Sequence, residues 1–377
     1  PFYFKADGKI PEAEQYAEFT TFSDGKKLYT FRVPLKVLDF PQVPQFRKFS
    51  IGEGWFYNHH TANWPEHLKS AKQLGFNTIA FFPCTNNAER YSDVVSAAHA
   101  GGFKVRLQIS PSAMIRQLAG KDNAELTCTG LPKKTQMCPS YRGKYYQEVM
   151  QKIAEAQKKH QAEYLTFDDE EWMSVGSSDH FTGCARCDAL RKSKNMDWKE
   201  FVLWVQADYL SGFYKAAKEV SPSVIIGFYA LEPGRIISNH IGNIPFCGYD
   251  KLYPDFSDEI QPSYYGQHVS YVQTQTRKTF LTVKNPLKVN RWLTAGTGAY
   301  GTERLGAATE HQLVEALMNG SGGVQYFMMR SFSSPLDFLY TANALKLIAP
   351  FEDFLMNAEL VPLTGSNTSL LYTARKR

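Results

Sequence analysis

Tyr164-Leu165-Thr166-Phe167-Asp168-Asp169-Glu170-Glu171-Trp172 is the stretch on which the reading of this 377-residue chain turns. Its first half has the aromatic and β-branched content of a strand, and its second half is four consecutive carboxylates and a tryptophan. Successive strand side chains point to opposite faces. Leu165 and Phe167 form one apolar row, so Thr166, Asp168 and Glu170 share the other face. Acids concentrated at one spot repel, which raises at least one carboxyl pKa, as a general acid requires. Most charge runs are solvated loops. Four acids directly off an apolar strand point instead to a functional site.

Outward from this strand, the sequence runs in a β–α rhythm. The first strand is expected over 49–57, with a helix from 64 to 74 and Gly75 as its C-terminal stop. The second strand spans 77–82, a helix spans 89–100 up to Gly101-Gly102, and the third strand spans 104–109. A long loop with Cys128 and Cys138 leads to a helix over 145–160, where Tyr145, Val149 and Ile153 recur at a spacing of four and mark a buried face. The acidic strand is fourth. A helix over 198–220, stopped by Ser221-Pro222, precedes the fifth strand at 224–229. The pattern then weakens, and the sixth strand is assigned to Phe246–Asp250, followed by a helix near 271–281. The seventh strand falls at 290–295 and the eighth at 323–329. A helix lies between them over 310–319, with Thr309 as N-cap, and a last amphipathic helix spans 336–354.

Eight strands alternating with helices predict an α/β fold, a (β/α)8 TIM barrel over residues 46–357. Residues 1–45 read as a β-rich extension, with Ser23-Asp-Gly-Lys as the turn of a hairpin. Residues 358–377 read as a short C-terminal β extension that includes 369–372. No G-x-G-x-x-G follows a strand and no P-loop is present, which disfavours an open nucleotide-binding sheet.

Composition agrees with a globular chain: 43% hydrophobic and 21% charged residues. The aromatic share is high, at 14%, and suits sugar-stacking clefts as well as a packed core. A net charge of +5 comes from dispersed Lys and Arg, so no nucleic-acid partner is expected. No apolar run reaches membrane-spanning length, so no membrane partner is expected either. The start at Pro1 and the end at Thr373-Ala-Arg-Lys-Arg377 suggest a mature or trimmed form. A secreted, periplasmic or lysosome-like location is expected. Asn319-Gly-Ser and Asn367-Thr-Ser match the glycosylation acceptor pattern, a short motif with many chance matches. The oligomeric state is not legible.

In a barrel, active residues lie at the C-terminal strand ends. That rule collects Glu53, Trp55, Tyr57, His59 and His60 from the first strand, and Arg106, Gln108 and Ser110 from the third. The fourth strand gives Asp168 and Glu170, with Asp169, Glu171 and Trp172 at the rim. Tyr229 follows from the fifth strand, and Tyr249, Asp250 and Tyr253 from the sixth. The seventh strand leads to Tyr300 and Glu303, and the eighth to Arg330. Acids, aromatics, an amide and guanidinium groups at one mouth fit an oligo- or polysaccharide.

Asp168-Asp-Glu170-Glu-Trp172, followed by Gly183-Cys-Ala-Arg-Cys187 and a long helix, resembles a pattern in many (β/α)8 glycoside hydrolases. With Gly248-Tyr-Asp250 on the sixth strand, it also resembles the chitinase-type arrangement of family 18. The earlier aspartates of that family's motif are replaced here by Tyr164 and Thr166. The resemblance implies that Glu170 is the general acid. Independently, glycosidic cleavage needs a second carboxylate as nucleophile or base. Asp250 is expected in that role, with Glu303 or Glu53 as substitutes. Trp55, Trp172, Tyr229 and Tyr253 would offer faces to sugar rings.

No cofactor is expected, with two open alternatives. His180-x-x-x-Cys184-x-x-Cys187 has zinc-like spacing, with Cys128 or Cys138 as a further ligand, but the two thiols are equally open to a disulfide or to remaining unbonded. The carboxylate run is open to Ca²⁺ or Mg²⁺, although the EF-hand spacing is missing. A carbohydrate-binding barrel without catalysis, and a metal-dependent barrel hydrolase, are the rival functions.

Overall fold

The structure is a computed structural model that describes residues 15–35, 38–54, 64–81, 88–120, 124–127, 137–169, 182–230, 236–239, 242–245, 255–263, 269–283, 285–295, 306–327, 332, 334–361 and 375–376. The chain opens with strands β1 (Gln15–Ser23) and β2 (Lys26–Leu35), an antiparallel hairpin. Its turn carries positive φ at both Asp24 (49°) and Gly25 (76°), which matches the right-handed twist of the flanking strands. One hairpin face is polar, with Arg32 bonded to Glu18 and Thr20 to Thr30. The other stacks Phe19 on Phe31 beside exposed Tyr29, Val33 and Leu35.

The barrel follows as β3 (Ser50–Glu53), α1 (Trp64–Gln73), β4 (Thr78–Phe81), α2 (Ala88–Ala100), β5 (Lys104–Ile109), α3 (Pro111–Ala119), α4 (Lys144–His160) and β6 (Tyr164–Phe167). It continues through α5 (Ala185–Ser193), α6 (Trp198–Val220), β7 (Ile225–Ala230), a small hairpin of β8 (Ile236–Asn239) and β9 (Gly242–Pro245), and β10 (Glu259–Pro262). It ends with α7 (Val269–Val283), β11 (Asn290–Leu293), α8 (Gly306–Met318), β12 (Gly323–Tyr326), α9 (Pro335–Ile348) and α10 (Glu352–Asn357). Strands β3, β4, β5, β6, β7 and β10 pair in parallel in that order, and β12 joins β3 to β11. Parallel bridges Ile260–Val289 and Ser263–Trp292 connect β10 to β11 and bring the ring to closure. The fold is a (β/α)8 barrel.

Local chemistry explains the element ends. Asp197 and Glu200 form a capping box at the start of α6, and Ser334 and Asp337 form one at the start of α9. Gly75 ends the first βα unit at φ +94°, where a Cβ would also strike Val43. The carboxylate of Glu352 accepts from the backbone amides of Arg47, Lys48 and Phe49, fastening the entry into β3 to the last helix. The outward strand rows, including Ile51, Ile79, Val105, Leu107, Leu165, Phe167, Ile226 and Phe228, are buried beneath the helices.

The sixth barrel strand is Glu259–Pro262, not Phe246–Asp250. The error has a physical source. Glu259-Ile-Gln-Pro262 carries its polar residues inward, so its four residues present no apolar run for a sequence reading to detect. Helices α3 and α5 were also not expected. The segment expected at 369–372 lies outside the described residues, and the C-terminal pairing joins β13 (Glu359–Leu360) to β14 (Arg375–Lys376).

Candidate active site at the end of the fourth barrel strand

Strand β6 pairs with β5 from Arg106–Tyr164 to Ile109–Phe167. The ladder continues one residue further, because the Asp168 amide donates to the Ile109 carbonyl at 2.8 Å. Alternation therefore carries through the first acid. Asp168 continues the inward row of Tyr164 and Thr166 and is half-buried, whereas Asp169 continues the outward row of Leu165 and Phe167 and is enclosed.

The two neighbours consequently meet different surroundings. One Asp169 oxygen accepts from Ser110 Oγ (2.9 Å), Ser112 Oγ (2.8 Å) and the Ser112 amide (3.0 Å). Ser112 lies in the first turn of α3, and Ser110, the residue before the helix, makes no side-chain cap of its own. Asp169 supplies that cap from another strand, a carboxylate at a helix N-terminus. Burial raises its pKa and outweighs the opposing hydrogen bonds from Ser112, Ser110 and Tyr209. Behind it, the rings of Tyr146, Tyr209 and Phe213 pack at tilted and edge-to-face angles, and Phe213 meets Phe167 edge to face on the back of the strand. The acidic end thus stands on rigid packing.

The barrel interior below is polar. Arg106 Nη1 donates to Thr166 Oγ1 (3.1 Å) and pairs with Glu259 (2.5 Å), and the guanidinium lies 4.4 Å over the Tyr164 ring. Gln261 donates to Thr166 and Glu259 and accepts from Trp292 Nε1. Gly52 and Gly227 make room for these amides: a Cβ on Gly52 would overlap Gln325, and one on Gly227 would overlap Gln261. Sequence reasoning missed Glu259, Gln261 and Trp292 as one network. Glycines inside two strands were the available signal.

Several expected site residues stand elsewhere. Asp169 is not at the rim but anchored on α3. Gln108 and Tyr229 lie in the barrel interior and are both buried, Tyr229 with its ring edge-on to Trp292, so neither offers an open face to a ligand. Glu53 does not share the inner row. It points out to α1, where its carboxylate meets His67 Nε2 at 2.7 Å. Burial disfavours the imidazolium, but the charge and hydrogen bond of Glu53 outweigh it and raise the His67 pKa. Tyr249 and Asp250 cannot end the sixth strand, which lies at 259–262. Those two residues, together with Glu170, Glu171, Trp172, Trp55, Tyr57, His59, His60, Tyr253, Tyr300, Glu303, Arg330, His180 and Cys128, lie outside the described residues. Asn319 is buried, and its side-chain amide donates to Glu315, so it is no glycan acceptor. Among the described residues, Cys138, Cys184 and Cys187 are the group able to hold a metal ion, and no helix is long and apolar enough to cross a membrane.

No protein-family model matches the sequence, and no curated protein matches it. Solved structures do match its fold. A cold-adapted β-galactosidase from Rahnella sp. R3 aligns with TM-score 0.57 at 13% identity, over 86% of this chain and 59% of that one. A family 42 β-galactosidase from G. stearothermophilus aligns with TM-score 0.57 at 14% identity, over 82% and 58%. The glycoside hydrolase domain of PgaB from Bordetella bronchiseptica aligns with TM-score 0.54 at 9% identity, over 81% and 99%. The chain spans less than two thirds of the β-galactosidases it matches. At these identities the likeness is one of fold: a (β/α)8 barrel of the kind glycoside hydrolases use.

Proposed function

We propose that the chain is a glycoside hydrolase that cleaves an oligo- or polysaccharide with carboxylates at the end of β6. The observation that carries this reading is the split at Asp168-Asp169. One acid lines the barrel's inward row where barrel enzymes keep their chemistry, and the next locks the strand end in place. Glu170, which follows in the sequence, is assigned as the general acid that protonates the leaving oxygen. The second carboxylate is Glu303 or Asp250, the latter without the sixth-strand position from which the sequence reading chose it. Glu53 is withdrawn from the role, because its carboxylate is held by His67 outside the barrel wall.

The test is hydrolysis of a panel of polysaccharides and aryl glycosides, β-galactosides among them, by wild type, Glu170→Gln, Asp168→Asn and Asp250→Asn, with binding measured alongside. The expected result is turnover by wild type and a loss of roughly 10²–10⁴-fold in Glu170→Gln with binding kept. Binding without turnover in wild type would make the barrel a carbohydrate-binding module. Neither binding nor turnover across the panel would overturn the reading.

A further inference from the structure

Three cysteines from two parts of the chain meet in the structure. Cys138 precedes α4, Cys184 is the N-cap of α5, and Cys187 lies in the first turn of that helix. All three are fully buried. Cys138 Sγ lies 3.7 Å from Cys184 Sγ and 3.6 Å from Cys187 Sγ, and all three sulfurs fall within 4.8 Å of one another. A disulfide requires about 2.05 Å, so neither contact from Cys138 is a bond. Around a tetrahedral zinc ion with Zn–S near 2.3 Å, thiolates stand about 3.8 Å apart. The two distances from Cys138 match two edges of such a tetrahedron, and the third pair of sulfurs lies within 4.8 Å.

Ordinary packing of small apolar side chains gives similar contact distances, so distance alone does not decide. Convergence and surroundings do. Two sulfurs come from a C-x-x-C wound on the first turn of α5, and the third comes from a segment 46 residues earlier that turns back to meet them. The helix N-terminus, the positive end of the dipole, favours thiolates at that point. Ser140 Oγ donates to Cys187 Sγ at 3.3 Å, the kind of outer hydrogen bond that supports a metal-bound thiolate.

We propose that Cys138, Cys184 and Cys187 bind one structural zinc ion as thiolates. Binding releases the three thiol protons to solvent, forms three Zn–S bonds and involves no change of oxidation state. Cys138, Cys184 and Cys187 supply three of the four corners of the zinc tetrahedron. The ion's position gives its structural role content. Asp169 ties the start of segment 170–181 to α3, and the sulfurs tie the residues just after it to Cys138, which lies in the same β5–β6 connection. Both ends of the acidic segment are thereby fastened to one neighbour. The proposal does not depend on the glycosidase reading.

The experiment is elemental analysis of the full chain purified under reducing conditions without added metal, followed by cobalt exchange. About one zinc per chain is expected to survive dialysis, and Co²⁺ in its place should show thiolate-to-cobalt charge transfer in the near ultraviolet. Cys138→Ser and Cys187→Ser should each lose most of the bound zinc. Should those variants fail to fold, the wild-type cobalt spectrum and a fall in Tm on chelation, restored by zinc, carry the test. Zinc retained in folded variants, a cobalt spectrum without the thiolate band, or an intact disulfide among these three cysteines in the isolated protein would each overturn it.

Discussion

The carboxylate of Asp169 lies 3.0 Å from the backbone amide of Ser112, so a residue on the fourth barrel strand caps the helix that follows the third. This contact fixes where the inward-facing acid before it can stand. The cap is made across the fold, between elements 57 residues apart. Asp169→Ala should lower stability by roughly 2–4 kcal/mol, since it strands the buried hydroxyls and amide that the carboxylate accepts from. Asp169→Asn should lose less. Urea unfolding midpoints decide between them, and equal midpoints for wild type and Asp169→Ala would show that the carboxylate does not stabilise α3.

The same carboxyl carries a pH signature. Burial raises its folded pKa above the ordinary carboxylate value, so the folded protein binds the proton more tightly than the unfolded chain. Its contribution to stability is therefore fullest in acid and falls as pH rises from the unfolded value through the raised one. The difference in stability between wild type and Asp169→Asn, followed over that window, should show this slope.

Glu53 and His67 give a separate window. The His67 pKa is raised in the folded state, so its pairing energy is fully present below the unfolded histidine value near 6.5 and is lost as pH rises through the folded one. Thermal unfolding of wild type should lose stability across that range. In Glu53→Gln, where the charge is absent, the slope should vanish or reverse.

Arg106 and Glu259 form an enclosed ion pair in the barrel interior. Removing one partner leaves a buried charge uncompensated, at a cost of about 3–5 kcal/mol. Arg106→Met and Glu259→Gln should each show such a loss by chemical denaturation, and Arg106→Met/Glu259→Leu should recover part of it. A double variant no better than the worse single one would mean the pair is not the coupled unit described.

Gly227 tests the packing above that pair. A methyl group there meets the amide of Gln261 and lies 2.8 Å from the Glu259 carboxylate. Gly227→Ala should cost about 1–3 kcal/mol through displacement of both side chains. An unchanged unfolding midpoint would show that the interior amides yield freely.

Much of the architecture was legible in the residues. Seven barrel strands, the Asp24-Gly25 hairpin and the helices at 144–160 and 198–220 carry local signals: apolar rows, glycine and proline stops, a capping box. Such signals concern residues near in sequence, and hydrophobic periodicity reports them wherever one face is buried. The sixth strand carries none, because its inward residues Glu259 and Gln261 are polar and become sensible only when Arg106, Thr166 and Trp292 arrive around them.

By itself the sequence determined that Asp168 and Asp169 occupy opposite faces of a strand, since alternation is a property of the backbone. Only the tertiary structure decided what each face meets. Asp169 turns to Ser112 and Tyr209 rather than to the rim, Glu53 turns to His67 rather than to the barrel interior, and Cys138 joins Cys184 and Cys187 across 46 intervening residues. Those outcomes depend on which distant segments pack together, and a side chain's partner, unlike its direction along a strand, is set by packing between elements far apart in the chain.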